Sequence, residues 1–290
     1  MKIKPLSESE LILNPDGSVY HICLRDEHVA DTVLLVGDQD RVAQISRHFD
    51  HVEFQRKNRE FVTHTGTYKG NRITVISTGI GTENIDIVVN ELHAAVNIDL
   101  KTRIPKTNQR SLNLIRIGTS GALQSDMPVG SHVVSSYGLG FDGVLYYYNY
   151  AFDKKEAEIT DAVRNHLQLD AKHSLPYVVS GSSGLVQQIG ADMREGITAT
   201  AIGFYGPQGR SIGLKLSIDD LQGMLQAFEF EGLRINNFEM ETSALFGLGR
   251  LFGHHCCTCC VILANRITKD FLTDHDAAID GLVETVLDRL

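Results

Sequence analysis

The sequence predicts an α/β fold in which helices cover both faces of a mixed, largely parallel central sheet, forming a three-layer αβα sandwich. Short β-rich runs alternate with stretches of helical periodicity along all 290 residues, and this alternation is typical of a largely parallel sheet. No Gly-, Ser- or Pro-rich linker divides the chain, so residues 1–290 are expected to form a single domain. Sheets of this kind bind ligands at the carboxyl ends of their strands.

The first half of the chain begins with a strand, a turn and a helix. An apolar run over 32–36 is followed closely by Asp38, which is placed to cap a helix. The β-rich runs over 61–68 and 72–78 predict a hairpin, because the residues between them, 69–71, read Lys-Gly-Asn and are typical of a turn.

A long amphipathic helix is predicted next, followed by a loop and another strand. Apolar side chains within 83–96 recur on one helical face. Residues 97–111 are polar and contain a proline, so they predict a loop. The apolar strand predicted over 112–117 is closed by Gly118.

The second half repeats the alternation of strands and helices. Its predicted strands cover 132–136, 177–180 and 257–264. Its predicted helices cover 156–167, 219–230, 241–252 and 274–290.

Composition excludes several classes of protein. The formal net charge of −9 argues against broad attraction to nucleic acid or to an anionic membrane, so an anionic substrate would need a local pocket of arginines. No apolar run approaches the roughly 20 residues needed to cross a bilayer, and residues 1–10 lack the apolar core of a secretory signal. A cytoplasmic protein with reduced thiols is therefore expected.

Four cysteines fall in the run CCTCC at 256–260, which has two interpretations. Its two Cys-x-x-Cys spacings, beside His254 and His255, are compatible with zinc binding. The run also leads directly into an apolar segment, where free cysteines behave as small hydrophobic residues. The buried strand is the favoured interpretation because the sequence has no second cysteine pair.

Two segments combine glycines with arginines at expected strand ends. In the first, Gly37 lets backbone amides approach an anion, and Arg41 can bind it one helical turn later; a capped helix with a solvated arginine is the alternative. In the second, Arg116 lies inside an apolar strand and is followed by Thr119 and Ser120 in a glycine turn. A buried arginine needs either a ligand or a buried carboxylate partner.

A third segment carries Glu239 and Glu241 on either side of Met240, where a helix is expected to begin. The dipole of a helix favours carboxylates at its N-terminus without any ligand. A pair of carboxylate acceptors also suits the vicinal hydroxyls of a sugar. Spacing alone leaves helix capping and sugar binding both open.

Taken in order, these segments resemble the nucleoside phosphorylase superfamily, and its uridine phosphorylase branch in particular. The resemblance spans nearly the whole chain and implies the nucleoside phosphorylase fold. Its motifs are Tyr20-His21, Val36-Gly37-Asp38-Gln39-Asp40-Arg41, Asn58-Arg59-Glu60-Phe61, Ser77-Thr78-Gly79-Ile80-Gly81, the 116–121 segment, Phe238-Glu239-Met240-Glu241 and Ala264-Asn265-Arg266.

The resemblance implies a phosphate site, a ribose site and a base site. Phosphate would be bound by Gly37, Arg41, Arg116 and Thr119, with Arg59 reaching in from a neighbouring subunit. Ribose would be bound by Thr119, Glu239, Met240 and Glu241, with His21 contributed across a dimer interface. The base would be bound by Ser120, Gly121, Phe204, Gln208, Arg210 and Arg266.

Two residues indicate which base the site would take. Pyrimidine-specific members of the family carry a glutamine and an arginine two apart after a Phe-Tyr pair, and Gln208 and Arg210 follow Phe204-Tyr205 here. Purine-cleaving relatives usually carry an aspartate at the position of Asn265. The resemblance therefore implies phosphorolysis of uridine, deoxyuridine or thymidine, with inorganic phosphate as co-substrate and no cofactor. An exposed polar loop is the alternative for these two side chains.

Other functions and assemblies follow from the same resemblance. A nucleosidase would share the fold but use water, a purine nucleoside phosphorylase would take a different base, and a nucleoside-binding protein would lack catalysis. Sites completed by His21 and Arg59 of a neighbour require at least a dimer, and the family implies a hexamer of three dimers.

A potassium ion at the dimer interface is a further ligand of some relatives. Glu60, Ile80 and Asn84 would be its contributors in this chain. Asn84 stands where those relatives supply a serine, so the site is not expected to be kept unchanged. The tyrosine-rich segment 141–152 has no clear counterpart in the family and would lie near the base or at an interface.

Overall fold

The computed structural model describes residues 4–290 and confirms the α/β class. The α-helices in this range are α1 (Gln39–Ser46), α2 (Thr82–Asn97), α3 (Lys154–Leu167), α4 (Ser183–Ile189), α5 (Leu221–Gln226), α6 (Thr242–Leu251) and α7 (His275–Leu287). The strands are β1 (Thr32–Val36), β2 (His51–Asn58), β3 (Phe61–Tyr68), β4 (Asn71–Ser77), β5 (Ile98–Asp99), β6 (Ile104–Pro105), β7 (Asn113–Ala122), β8 (His132–Gly140), β9 (Tyr177–Ser180), β10 (Arg194–Thr200), β11 (Glu229–Phe230), β12 (Leu233–Glu239) and β13 (His255–Asn265). Among residues 4–290, no helix has both the length and the apolar character that spanning a membrane requires.

Contacts within the chain group its residues into two compact units. The first contains the described residues up to Ile115 together with Leu248–His255. The second contains Arg116–Gly247 and Cys256–Leu290. Strand β7 therefore begins in the first unit and ends in the second. The single domain expected from the sequence stays a prediction.

In the first unit, β1 pairs in parallel with β4, while β2, β3 and β4 form an antiparallel meander. Lys69 and Gly70 join β3 to β4 with φ angles of 46° and 83°, as a tight hairpin turn between twisted strands requires. Helix α1 begins where the carboxylate of Asp38 accepts a hydrogen bond from Asp40 N at 3.0 Å. The strand, the hairpin and the capped helix predicted from the sequence are confirmed.

In the second unit, β10 lies between β8 and β12 and pairs in parallel with both. Antiparallel pairs join β8 to β9 and β13, and join β12 to β11 and to the end of β7. Residues of α3 and α5 pack against this sheet in a core that includes Leu139, Ile159, Ile197, Leu225 and Phe238. The predicted mixed sheet is confirmed, with more antiparallel pairing than the alternation of strands and helices suggests.

Several elements are absent from the prediction, namely β2, β10, β12 and α4. Strand β2 alternates between exposed and half-buried side chains and is largely polar, so it lacks a hydrophobic face. Strands β10 and β12 bury the polar side chains of Thr198, Thr200, Asn236 and Asn237. Such residues read as loop in a sequence because their burial depends on partners in other strands.

Several predicted boundaries are wrong, and the strand predicted over 132–136 in fact continues to Gly140 as β8. Residues 97–111 are not wholly a loop, since β5 and β6 pair within them as a short hairpin. Strand β7 does not close at Gly118 but continues to Ala122, so no glycine turn follows Arg116. The helix predicted over 219–230 is only α5, because Glu229 and Phe230 pair with β12.

Strand β13 contains the four neighbouring cysteines, and all four are buried. The strand interpretation of 256–260 is therefore confirmed. Burial raises the pKa of the Cys256 thiol, and it raises that of Cys260 to about 12. The four buried cysteines pack as small hydrophobic side chains. Within the described part of the chain, no group of three or more His, Cys, Asp or Glu residues could hold a metal ion.

A pair of histidines in the first unit is held in one protonation state. Leu112 N donates to His254 Nδ1 at 3.2 Å, so the proton of this imidazole must be on Nε2. His254 Nε2 in turn faces His93 Nδ1 at 3.4 Å, and His93 stacks on Phe252 with ring centroids 4.1 Å apart. Burial and the neighbouring histidines lower the pKa of His254 to about 4.

This histidine pair should make folding stability sensitive to mild acid. Unfolded His254 takes a proton near its ordinary pKa of about 6.5, whereas folded His254 stays neutral until about pH 4. The unfolded state binds more protons between these values, so the free energy of unfolding should fall as the pH drops from 6.5 to 4, by at most about 3 kcal/mol. Urea unfolding at several pH values measures the slope, and His254→Gln should reduce it.

The exposed His51 provides a matched control for this measurement. His51→Gln should leave the slope of stability against pH unchanged. An equal slope in the wild type and in His254→Gln would show that other groups cause the acid sensitivity.

Candidate active site

Arg116 and two glutamates form a buried charge cluster in the second unit. Arg116 lies in β7, Glu239 ends β12, and Glu241 precedes α6. The guanidinium contacts the Glu241 carboxylate directly through Nη2, and its Nη1 lies 3.5 Å from Glu239 Oε2. All three side chains are buried, with Arg116 only 6% exposed. The carboxylate partner that Arg116 needs is therefore the same pair of glutamates that the sequence predicts for sugar binding.

Burial and the neighbouring opposite charges have opposing effects on the pKa values of the side chains in this cluster. Burial lowers the pKa of the Arg116 guanidinium, but Glu241 and Glu239 more than offset that effect, so its pKa is raised. Burial also raises the pKa of Glu239, and Arg116 opposes that change. Hydroxyl groups of a ligand could donate hydrogen bonds to Glu241 in place of some of those from Arg116. Part of the Arg116 guanidinium would then be available to an anion.

Glu239 is fixed by hydrogen bonds at the start of α6. Its Oε1 accepts from Thr200 Oγ1 at 2.7 Å, and its Oε2 accepts from the backbone N–H groups of Glu241 at 2.9 Å and Thr242 at 3.0 Å. These amides belong to a helix N-terminus, where a carboxylate is favoured. The capping interpretation therefore holds for Glu239, which leaves Glu241 as the candidate acceptor for a sugar.

Two small neighbours make room for the Arg116 side chain. The guanidinium folds back over Gly118, where an added Cβ would lie 1.9 Å from Arg116 Nη1. Arg116 Nη1 also donates to Cys260 Sγ at 3.5 Å. Gly118 thus allows close packing within a strand and does not form the turn predicted from the sequence.

A row of buried polar side chains crosses the sheet to Ser120. Ser135 and Thr198 hydrogen bond through their hydroxyls at 2.6 Å, and Thr198 Oγ1 also lies 2.8 Å from Asn237 Oδ1, to which it donates. Asn237 Nδ2 then donates to Ser120 Oγ at 2.9 Å. Ser120, which the sequence predicts for base binding, is therefore held by strands β8, β10 and β12.

The other predicted ligands near Ser120 surround the end of β7. Thr119 is half-buried, and so is Met240, whose backbone N donates to Glu241 Oε2 at 3.2 Å. A Cβ on Gly121 would lie 2.6 Å from Arg266 Nε, so this glycine lets the Arg266 guanidinium pack against the strand.

The loop after β10 brings two predicted base-binding side chains together and buries a third. The Arg210 guanidinium carbon lies 3.8 Å from the centroid of the Phe204 ring, in a cation–π contact. Burial lowers the pKa of Arg210. Gln208 is only 2% exposed, and its backbone carbonyl accepts from Gln222 Nε2 at 2.8 Å. Within residues 4–290 its side-chain amide has no hydrogen bond, so it is available to a ligand.

Within residues 4–290, one donor lacks a hydrogen bond in each of three arginines, Arg116, Arg210 and Arg266. In each, Nε is buried and has no hydrogen-bond partner among the described residues. A buried donor without a partner costs about 1–3 kcal/mol, and more when it is charged. Three such cationic donors lie in the second unit, and a ligand rich in acceptor oxygens would satisfy them.

In the first unit, the structure brings His21 and Arg59 together. Asn58 Nδ2 donates to His21 O at 2.8 Å, and the guanidinium carbon of Arg59 lies 5.6 Å from the ring centroid of Tyr20. Arg59 is exposed and has a φ of 53°, in the left-handed region. The two residues predicted to serve a neighbouring subunit therefore lie beside each other at the surface of this unit.

The remaining predicted ligands of the first unit follow β1, β2 and β4. Gly37 and Arg41 are at the end of β1 and in the first turns of α1, both half-buried. The predicted cation ligands Glu60, Ile80 and Asn84 follow β2 and β4, and Asn84 Nδ2 donates to Ile80 O at 3.3 Å. The Ile80 carbonyl predicted to face a cation thus accepts a hydrogen bond from the Asn84 amide.

Sequence reasoning misses two residues that support the cluster. Thr200 Oγ1 donates to Glu239 and accepts from Ser243 N at 3.0 Å. Asp142 accepts from Ser243 Oγ at 2.8 Å and from Tyr177 OH at 2.7 Å, so the tyrosine-rich segment contacts α6. Threonine at a strand end and aspartate before glycine are too common to be singled out without the sheet register.

Asn265 has its side-chain amide fully engaged. Its Nδ2 donates to Gln124 O and Met127 O, both at 2.9 Å. Its Oδ1 accepts from Ile267 N at 2.8 Å and Thr268 N at 3.0 Å. An asparagine offers two donors and two acceptor positions, so this side chain is used entirely in holding its loop.

Comparison with known proteins agrees with these motifs. A family model described as the phosphorylase superfamily matches residues 31–288. The chain is 30% identical over 262 residues to a uridine phosphorylase of Thermococcus kodakarensis, covering 88% of this chain and 80% of that one. It is 27% identical over 275 residues to a DeoD-type purine nucleoside phosphorylase of Clostridium perfringens, covering 92% and 97%.

A solved structure gives the same result for the fold. A Trypanosoma brucei nucleoside phosphorylase, described as showing uridine phosphorylase activity, matches with a TM-score of 0.87 and 30% identity. The match covers 97% of this chain and 99% of that one. Together with the family model, it confirms the resemblance read from the motifs: this chain belongs to the phosphorylase superfamily.

Proposed function

We propose that the chain is a uridine phosphorylase, which uses phosphate to cleave uridine, deoxyuridine or thymidine into the base and a pentose 1-phosphate. The direct contact between Arg116 and Glu241 carries this proposal. In a pentose 1-phosphate, the phosphate and the sugar hydroxyls are attached to neighbouring carbons. A guanidinium beside a carboxylate offers donors to that phosphate and acceptors to those hydroxyls.

Further cationic groups support phosphate binding. We propose that Thr119 binds phosphate together with Arg116, and that Arg59 of a neighbouring subunit supplies a further guanidinium. A phosphate dianion needs such a concentration of arginines in a chain whose net charge is −9. For the ribose we propose Glu241 as the main acceptor, with Thr119, Met240 and Glu239 beside it.

The base would lie against the loop after β10. The free amide of Gln208 and the guanidinium of Arg210 match the alternating carbonyl and N–H groups of uracil. We propose that Phe204 packs against the base, with Ser120, Gly121 and Arg266 lining its other edges. A carbonyl-rich base would satisfy the donors of Arg210 and Arg266 that lack partners in the described chain.

The proposed reaction needs no covalent enzyme intermediate. Phosphate attacks C1′ as the bond from C1′ to the base breaks, so positive charge develops on the ribose and negative charge on the base. Binding both reactants in one site makes the attack effectively unimolecular. Gln208 and Arg210 stabilise the negative charge on the departing uracil.

Named relatives support a pyrimidine more than a purine substrate. The Thermococcus protein and the Trypanosoma structure, each 30% identical over most of this chain, carry uridine phosphorylase descriptions. A purine needs a proton donor near its N7 as it leaves. The amide of Asn265 is fully engaged with backbone groups, so it supplies none.

The surface position of His21 and Arg59 supports a shared active site. We propose a homodimer as the smallest active assembly and a hexamer of three dimers as the complete one. The two residues lie beside each other, so one neighbour could accept both. Sedimentation velocity of the wild type and of a charge-reversing Arg59→Glu variant measures the assembly; loss of activity without loss of the dimer would place Arg59 in the site.

A panel of nucleosides, assayed with and without phosphate, tests the proposed function. We expect uridine to be cleaved only with phosphate and ribose 1-phosphate to accumulate in equal amount to uracil. Equal rates without phosphate would identify a nucleosidase, and faster cleavage of inosine a purine enzyme. Binding of uridine without cleavage would identify a nucleoside-binding protein.

Gly118→Ala should separate activity from stability. The added Cβ would occupy the position of Arg116 Nη1, so the guanidinium must leave Glu241. Because the end of a flexible side chain moves and the backbone does not, we expect kcat/KM for uridine to fall about 100-fold with a modest loss of melting temperature. Gly184→Ala is the control, since a Cβ there meets no atom within 4 Å. Equal activity of both variants would contradict the proposed role of Arg116.

A further inference from the structure

Glu91, on helix α2, holds His21 through both its side chain and its backbone. Glu91 Oε1 lies 2.6 Å from His21 Nδ1. Glu91 Oε2 accepts from the backbone N–H groups of His21 at 2.8 Å and Ile22 at 2.9 Å. One carboxylate therefore fixes both the position of the chain at His21 and the direction of its imidazole.

These contacts determine which ring nitrogen carries the proton. A carboxylate only accepts hydrogen bonds, so His21 Nδ1 must donate to Glu91. In the neutral imidazole the other nitrogen, Nε2, is then an acceptor. Within the described residues, Nε2 of His21 has no hydrogen-bond partner.

Neighbouring side chains pack against the imidazole ring of His21. Tyr20 meets the imidazole edge to face at a centroid distance of 4.8 Å, and Phe61 does so at 6.4 Å. Asn58 Nδ2 holds the backbone carbonyl of His21. The side chain of His21 is still 26% exposed, so a ligand can reach Nε2.

We propose that Glu91 is a positioning residue, which presents Nε2 of His21 as a hydrogen-bond acceptor to a hydroxyl group of the nucleoside. This inference rests on the proposed function, in which Glu241 binds the hydroxyls on the 2′ and 3′ carbons. The hydroxyl left for His21 of a neighbouring subunit is therefore the one on the 5′ carbon. Without Glu91, His21 could turn or carry its proton on Nε2, and the nucleoside hydroxyl would then meet a donor. Glu91 itself does not touch the nucleoside.

Glu91→Gln tests which nitrogen of His21 carries the proton, because it replaces a single carboxylate oxygen with an amide nitrogen. The amide oxygen can keep the two backbone N–H groups, which places the amide N–H₂ against His21 Nδ1. That nitrogen must then accept, so the proton moves to Nε2, as in other histidines whose carboxylate partner becomes an amide. We expect ¹⁵N spectra at pH 8, where an ordinary imidazole is neutral, to report Nδ1–H in the wild type and Nε2–H in Glu91→Gln. The His21→Asn variant identifies the signal.

Kinetics with two substrates provide a second readout. For uridine, Glu91→Gln should raise KM about tenfold with little change in kcat, the cost of one lost hydrogen bond. For 5′-deoxyuridine, which lacks the hydroxyl, the wild type and Glu91→Gln should have the same KM. Glu83→Gln, at an exposed carboxylate of the same helix, should leave KM unchanged for both substrates.

The two readouts distinguish failure of this inference from failure of the proposed function. An Nε2–H signal in the wild type would overturn the inference, as would an equal rise of KM for both substrates, which is the sign of general damage. If the wild type does not cleave uridine, the proposed function is wrong, while the spectrum still decides the role of Glu91. A Glu91→Gln variant that does not fold leaves the wild-type spectrum as the test.

Discussion

Replacing Arg116 with methionine should lower kcat/KM for phosphate-dependent cleavage of uridine on the order of 10³-fold. The guanidinium is the proposed donor to phosphate and the direct partner of Glu241. Methionine retains most of the side-chain length and removes the charge. Initial rates at varied phosphate and uridine concentrations measure the effect, and KM for phosphate should rise more than KM for uridine.

Loss of Arg116 should also destabilise the fold, because Glu239 and Glu241 would remain buried together without a counter-charge. Removing one partner of a buried ion pair typically costs about 3–5 kcal/mol. Arg116→Lys keeps the charge without the two-pronged guanidinium, so it should fold better and still lose phosphate affinity. Arg194→Ala is the matched control, since Arg194 is an exposed arginine of the same unit near Asp126. Full activity in Arg116→Met would refute the proposed phosphate site.

Replacing Arg210 with leucine should have a smaller effect than Arg116→Met, and the effect should be confined to the base. We expect kcat/KM for uridine to fall about 10²-fold, as when one donor to a developing negative charge is removed. Stability should change little, because within residues 4–290 the guanidinium has a cation–π contact with Phe204 but no carboxylate partner. Thermal melting and uridine kinetics measure the two effects.

The reverse reaction separates the base from the sugar phosphate. With uracil and ribose 1-phosphate as substrates, Arg210→Leu should raise KM for uracil and leave KM for ribose 1-phosphate unchanged. Arg116→Met should do the opposite. Lys215→Leu, at an exposed charge of the same loop, is the control for Arg210. If Arg210→Leu raises KM for ribose 1-phosphate and for uracil equally, Arg210 stabilises the conformation of the loop and does not bind the base.

Local sequence signals predict those elements whose periodicity and caps agree with their burial. The apolar run of β1, the cap at Asp38 and the turn at Lys69-Gly70 each act within a few residues, and all are confirmed. The cysteines of β13 are predicted correctly for the same reason, since they continue an apolar run. By contrast, β10 and β12 bury threonines and asparagines, whose hydrogen-bond partners lie in distant segments.

The sequence by itself determined the superfamily, the α/β class and the identity of the candidate ligands, because motifs and their order depend only on local spacing. Tertiary structure decided how those side chains are used. It pairs Arg116 with Glu241, assigns Glu239 to the cap of α6, and fixes His21 through Glu91. Each of these contacts joins residues 70 or more positions apart or depends on the direction of a buried side chain, and neither property is encoded in local sequence.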